Sequence, residues 1–134
     1  MEKFLADTTL LVDHFRGDVS AFNFLKNKSP YISHVTLAEL IQEIKTKEML
    51  QAVSDATSDL FILPINEAIS QLGIDLMKKF FHSHHLEYLD ALIAATAIEE
   101  NLILVTANTK HFSFIKSLSL VDWKKEKARY SPNE

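Results

Sequence analysis

The chain of 134 residues contains no cysteine, which excludes a disulfide framework, a thiolate metal site and a cysteine nucleophile. Any metal would have to be held by oxygen or imidazole. No stretch approaches the roughly 18 consecutive apolar residues of a membrane span, and the opening MEKFLADTT lacks the basic, then apolar, then small layout of a signal peptide. We therefore expect a soluble, cytoplasmic protein with no membrane association. A basic surplus is missing too: the net charge of −4 argues against nucleic-acid affinity driven by bulk charge. A local footprint remains open, because Lys124, Lys125, Lys127 and Arg129 follow the last apolar stretch and a divalent cation in an acidic site would reverse the sign felt by a phosphate. The plainer reading of that basic segment is a solvated, frayed C-terminus. Repeats and low-complexity tracts are absent as well. What is present is a 47% hydrophobic composition without a long polar tract, which predicts one compact domain over residues 1–134.

Strand-like and helix-like patterns alternate along it. KFLA stops at Asp7, and Thr8 to Phe15 has helical spacing that ends at Gly17. Asp18 or Ser20 caps a second helix, closed by the polar turn before Pro30. YISHV reads as a strand handing over at Thr36 to a helix that carries Glu39 in its first turn. A further helical stretch runs to about Ser58. LFILPI reads as a strand ended by its proline or lying at an edge, and Asn66 caps a long amphipathic helix that ends near His82, His84 and His85. LILV is typical of a parallel strand covered on both faces, and LSLVDW is a last strand. This order predicts an α/β domain with a mainly parallel sheet of about five strands and helices on both faces.

Asp90 is the anomaly in LEYLDALIAATAIEENLILVTANTKHF. Ala94, Ala97 and Asn101 fall on its face, while Leu89, Leu92, Ile93 and Thr96 cover the other side, so its helix should be buried all round. A buried carboxylate is costly unless paired, hydrogen-bonded or bound to a metal. In an open parallel sheet, ligands collect beyond the carboxyl ends of the strands. Asp7 ends the first strand, Glu39 follows the second, Asp90 begins the helix feeding the fourth, and Asn108 follows that strand's end. If the fold gathers them, three carboxylates and an amide oxygen make a hard-oxygen site suited to Mg²⁺ or Mn²⁺ rather than zinc or copper. Each also has a structural explanation: Asp7 as an N-cap, Glu39 as the partner of Thr36 in a capping box, Asp90 as a first-turn acid, and Asn108 as a turn residue.

The segments ADTTLLVDHFRGD, HVTLAELIQEI and LDALIAATAIEENLILVTANTKHF resemble the PIN-domain ribonucleases, in particular the VapC-type toxins of toxin–antitoxin pairs, over nearly the whole chain. The most specific piece is the third: an Asp, a small-residue helix, a short apolar strand, then Thr, an Asp or Asn two residues on, and a Phe. The resemblance implies a PIN-like three-layer α/β/α sandwich in which Asp7, Glu39 and Asp90 are metal ligands, Asn108 takes the fourth position, and Thr8 and Thr106 supply hydroxyls beside the metal. It further implies an Mg²⁺-dependent endoribonuclease acting through a metal-activated water, restrained by a small antitoxin protein, and a homodimer. Two departures stand out. Gln42-Glu43-Ile44 occupies the stretch where the family often has a glycine, and Asn108 removes a charge present where the family has Asp, so a second metal would be recruited with the substrate phosphate.

Other features admit two readings each. His82, His84 and His85 could bind zinc or simply suit the end of a helix and an exposed loop. Lys110 and His111 could touch an RNA backbone or be surface turn residues, with Phe112 anchoring the turn. Arg16 could meet phosphate or antitoxin or remain solvated, and Phe15, Phe22 and Phe24 could be core or partner surface. Alternatives in function are a PIN-like binding module without catalysis and a phosphoacceptor receiver domain. The receiver is disfavoured, because it wants an acidic pair ending the first strand where Asp7 is followed by Thr8.

Overall fold

The computed structural model describes residues 2–132. Its elements are β1 (Phe4–Ala6), α1 (Thr8–Phe15), α2 (Val19–Lys28), β2 (Ile32–Ser33), α3 (His34–Gln42), α4 (Lys47–Thr57) and β3 (Ile62–Leu63). They continue with α5 (Glu67–His84), α6 (Tyr88–Glu99), β4 (Ile103–Thr106), a 3₁₀ turn at Thr109–His111, β5 (Leu120–Asp122), α7 (Trp123–Glu126) and a 3₁₀ turn at Lys127–Tyr130. All strand pairings are parallel, as the alternation of strands and helices predicts.

The sheet itself is smaller than expected. Three strands form one sheet in the order β1-β4-β5, and β2 and β3 form a separate pair. One parallel bridge between Leu5 and Tyr31 links them, through Ala6 N–H to the Tyr31 carbonyl at 2.9 Å and Tyr31 N–H to the Phe4 carbonyl at 2.8 Å. The ladder cannot extend because β2 turns into α3 after Ser33 and β3 runs into Pro64, which has no N–H to donate.

Side chains of successive strand residues point to opposite faces. Leu5 and Leu104 therefore enter a core with Ile69 and Leu76 of α5 and Ala91 to Ala95 of α6. Ala6 and Val105 enter a second core with Leu10, Leu11, Phe24, Leu40, Val53 and Trp123. Helices cover both faces, which is the expected three-layer α/β/α arrangement. Helix α6 has no polar side: Ala91 to Ala97 are buried without interruption, as befits a helix enclosed all round. Its alanines let α5 approach so closely that a Cβ on Gly73 would lie 3.0 Å from Leu92 Cδ2. The first turn departs from expectation. Leu89 is 44% exposed, and Asn101 lies beyond the helix in a left-handed conformation with φ 56°, so neither shares the enclosure.

Helix starts follow local chemistry. Asp18 and Asn66 cap α2 and α5, accepting from Ser20 N–H and Ile69 N–H at 2.9 Å each. The capping box at Thr36 does not form: Ser33 is the N-cap of α3, accepting from Val35 N–H at 3.0 Å, and Glu39 is freed for another use. The C-terminal basic segment is also not frayed. Trp123 is fully buried, and its indole N–H donates to Asp13 at 2.9 Å. Lys127 reaches Asp18 at 2.7 Å and Asp13 at 3.3 Å. Phe24, completely buried, meets the rings of Phe4, Trp123 and Tyr130, whereas Phe22 is half exposed and stacks on His14. Among the described residues, no helix is long and apolar enough to cross a membrane.

Candidate functional site

The parallel order places the ends of β1 and β4 side by side, with Ala6 paired to Val105. Asp7 stands at the N-cap position of α1 but its side chain does not cap the helix. Instead its Oδ2 accepts from Thr106 Oγ1 at 2.6 Å, and its N–H donates to the Val105 carbonyl at 3.0 Å. The hydroxyls beyond knit the two strand ends together: Ala107 N–H donates to Thr9 Oγ1 at 2.9 Å and Asn108 N–H to Thr106 Oγ1 at 3.0 Å. Asp7 is only 5% exposed. Burial pushes its carboxyl above the usual range, and the bonds from Thr106 and the Thr8 N–H and the attraction of His111 offset part of that rise.

Glu39 reaches the same region from the middle of α3, where Thr8 Oγ1 donates to its Oε1 at 2.7 Å. Burial raises it, the Thr8 bond lowers it, and the negative charges of Asp7 and Asp90 raise it further. Asp90 arrives from the first turn of α6. Its Oδ2 is bonded to His111 Nδ1 at 3.0 Å; burial raises its carboxyl, His111 opposes, and Asp7 and Glu87 add to the rise. The three acids thus lie near enough to repel one another, although 32 and 51 residues separate them in sequence (39 − 7 and 90 − 39). Asn108 is exposed and joins this arrangement through its backbone.

The three acids each turn toward a separate protein donor, Thr106, Thr8 or His111. Among the described residues, no three His, Cys, Asp or Glu side chains are grouped closely enough to form a ready metal cage. Their negative charges repel one another, and a cation would relieve that repulsion. All-oxygen carboxylate donors suit a hard divalent ion, so the donor set fits Mg²⁺. The histidines are likewise not grouped as a metal cage among the described residues. His82 packs edge-on against Phe81, while His84 stacks on Phe114.

Two hollows open beside the acids. One, of about 610 Å³, runs from Thr8 and Glu39 past Phe15 and Arg16 to Met49 and Val53. The other, of about 270 Å³, lies beside Asp90 and is lined by His84, His85, Glu87, Lys110 and His111. Sequence reasoning placed the acids and the Thr8 and Thr106 hydroxyls but missed Thr9 and the hold of His111 on Asp90. The only signal for Thr9 was the doubled threonine after Asp7. For His111 there was its place in the turn after β4.

Comparisons with known proteins identify the family. The PIN domain family matches residues 4–116. Ribonuclease VapC10 of Mycobacterium tuberculosis is 35% identical over 119 residues, covering 85% of this chain and 89% of its own. A toxin-antitoxin complex from Klebsiella pneumoniae superposes with a TM-score of 0.75 at 30% identity, over 89% of this chain and 96% of that one. A DNA-bound VapBC from Salmonella typhimurium gives 0.80 at 25% identity, over 92% and 99%. With its strand-end acids, its three-layer architecture and a family match across most of its length, the chain belongs to the PIN-domain family and is similar to its VapC members.

Proposed function

We propose that this protein is a VapC-type endoribonuclease that hydrolyses RNA phosphodiester bonds with Mg²⁺ or Mn²⁺ and is restrained by a small antitoxin. The observation that carries this reading is the assembly of Asp7, Glu39 and Asp90 from three distant segments at one end of a parallel sheet, each with its carboxyl raised. Support comes from curated relatives named as ribonucleases and from solved neighbours that are toxin-antitoxin complexes. The proposal includes a single domain over 1–134, a homodimer and a cytoplasmic location.

Asp7, Glu39 and Asp90 would hold the cation, with Asn108 as a neutral fourth group. When bound, the ion supplies the charge that acidifies an attacking water and balances charge growing on the phosphoryl and leaving oxygens. The chain's own contribution is preorganisation. Thr106 fixes the rotamer of Asp7, Thr8 fixes Glu39, and His111 orients Asp90 from the turn after β4. No side-chain nucleophile is required.

The test is incubation of a total RNA pool with the wild type in Mg²⁺, the wild type in EDTA, and an Asp90→Asn variant in Mg²⁺, with the new ends mapped. Cleavage is expected only in the first. Cleavage that survives EDTA rejects the metal mechanism, and intact RNA in every arm favours a binding module.

A further inference from the structure

Asp90 and His111 belong to the chemistry above, but the rest of the smaller hollow beside them is not used by it. The hollow gathers His84, His85 and Lys110 with the carboxylates of Glu87 and Asp90, and its walls are built rather than loose. His84, the last residue of α5, lies flat on Phe114 with ring centroids 4.2 Å apart and an interplanar angle of 14°. Phe80 meets it edge-on at 5.9 Å. Its Nδ1 is bonded to Ser83 Oγ at 2.8 Å, which leaves Nε2 as the free nitrogen. The chain then turns sharply, with His85 in the left-handed region at φ 55°, and this carries it into the Leu86–Glu87 wall. Lys110 also lines the hollow, and its ammonium is in no ion pair among the described residues. His111, its neighbour, is spent on Asp90.

We infer that this hollow is the subsite for an RNA backbone phosphate adjacent to the bond that is cut, with Lys110 Nζ and His84 Nε2–H as its donors. The inference rests on the ribonuclease reading and extends it to substrate placement. An anion selects the His84 tautomer in which Ser83 donates to Nδ1 and the proton sits on Nε2. Glu87 and Asp90 repel a free anion here, so inorganic phosphate is a poor ligand. A phosphate within an RNA strand arrives tethered to neighbouring nucleotides, whose own contacts raise its effective concentration here and offset that repulsion. Lys110 and His84 both line the hollow beside Asp90, so donors there hold the polyanion next to the carboxylates.

The test measures binding rather than cleavage. In an Asp90→Asn background, which removes one repelling charge yet keeps an acceptor for His111, a fluorescent single-stranded RNA is titrated in EDTA and followed by anisotropy. Lys110→Ala and His84→Phe are compared with Lys28→Ala, which alters an exposed lysine at the end of α2. Phenylalanine retains the stack on Phe114 and removes both ring nitrogens, the Nε2 donor and the Nδ1 partner of Ser83 Oγ. Each pocket variant is expected to weaken binding about 10-fold, the loss of one charge-assisted hydrogen bond. Lys110→Ala should also flatten the logarithmic salt dependence by about 0.7. Binding by both pocket variants as tight as that of Lys28→Ala, or no binding by the Asp90→Asn background, overturns the subsite. Because no arm uses metal or turnover, a wild type that fails to cut RNA in Mg²⁺ refutes the nuclease reading alone.

Discussion

Asp7→Asn should make the metal-free protein more stable, and the reason lies in where the charge sits. Asp7 is 5% exposed, and in the folded state its carboxyl is raised above the usual 3.8 by burial. A raised acid means that the native state holds its proton more tightly than the unfolded chain. Stability from this group is complete below 3.8 and is lost as pH rises through the folded value. Above that folded value the protein carries the full penalty. Burying an ion has an effective penalty of several kcal/mol, part of which the donors Thr106 and Thr8 N–H return. Asparagine keeps an acceptor for Thr106 Oγ1 and forfeits about 1 kcal/mol of hydrogen bonding. The net gain is then about 1–2 kcal/mol, or a rise of about 3–8 °C in the melting midpoint for a chain of this size. Scanning calorimetry in EDTA at pH 7 reads it directly. The difference should shrink as pH falls toward 3.8, and added Mg²⁺ should stabilise the wild type while leaving the variant unmoved. An Asn variant that melts below the wild type in EDTA at neutral pH would refute the reasoning.

Three further outcomes follow from the packing around the site. Thr106→Val removes the donor to Asp7 and the acceptor for Asn108 N–H, so unfolding titrations should show a loss of about 1–3 kcal/mol, and calorimetric Mg²⁺ affinity should fall as Asp7 loses its orientation. Asp13→Ala strands the buried Trp123 indole N–H and should destabilise by about 1–3 kcal/mol in urea, whereas Asp13→Asn should recover most of the loss. Gly73→Ala gains about 1 kcal/mol of helix propensity but forces a Cβ against Leu92 Cδ2, an overpacking that costs about 1–3 kcal/mol. Chemical denaturation should show a net loss, and pairing it with Leu92→Val should give a stabilising coupling in a double-mutant cycle.

Where local chemistry decides, sequence and structure coincide. Helix α1 runs from Thr8 to Phe15 as its spacing predicts, Asn66 caps α5, and Phe112 is buried as the anchor of its turn. Asp90 stood out in the sequence because a carboxylate on an apolar helix is costly without a partner. What eluded reading depends on partners far along the chain. The frayed tail became an ordered segment because Asp13 and Asp18, more than a hundred residues earlier, accept from Trp123 and Lys127. The division of the sheet depends on β2 lasting only two residues before Ser33 caps α3, a local contest between strand and helix that the alternating YISHV conceals. His111 was legible as a turn residue, but its bond to Asp90 required α6 and the end of β4 to be placed side by side.

The bond between Thr106 and Asp7 closes a span of 99 residues, and it has a consequence in time as well as in space. Strand β4 lies between β1 and β5, so the first acid waits without its neighbour while most of the chain is still being made. A protein synthesised from its amino end has Asp7 and Glu39 in hand early, yet cannot complete the constellation until residue 106 has emerged. The order of synthesis thus delays the finished site until residue 106 has left the ribosome.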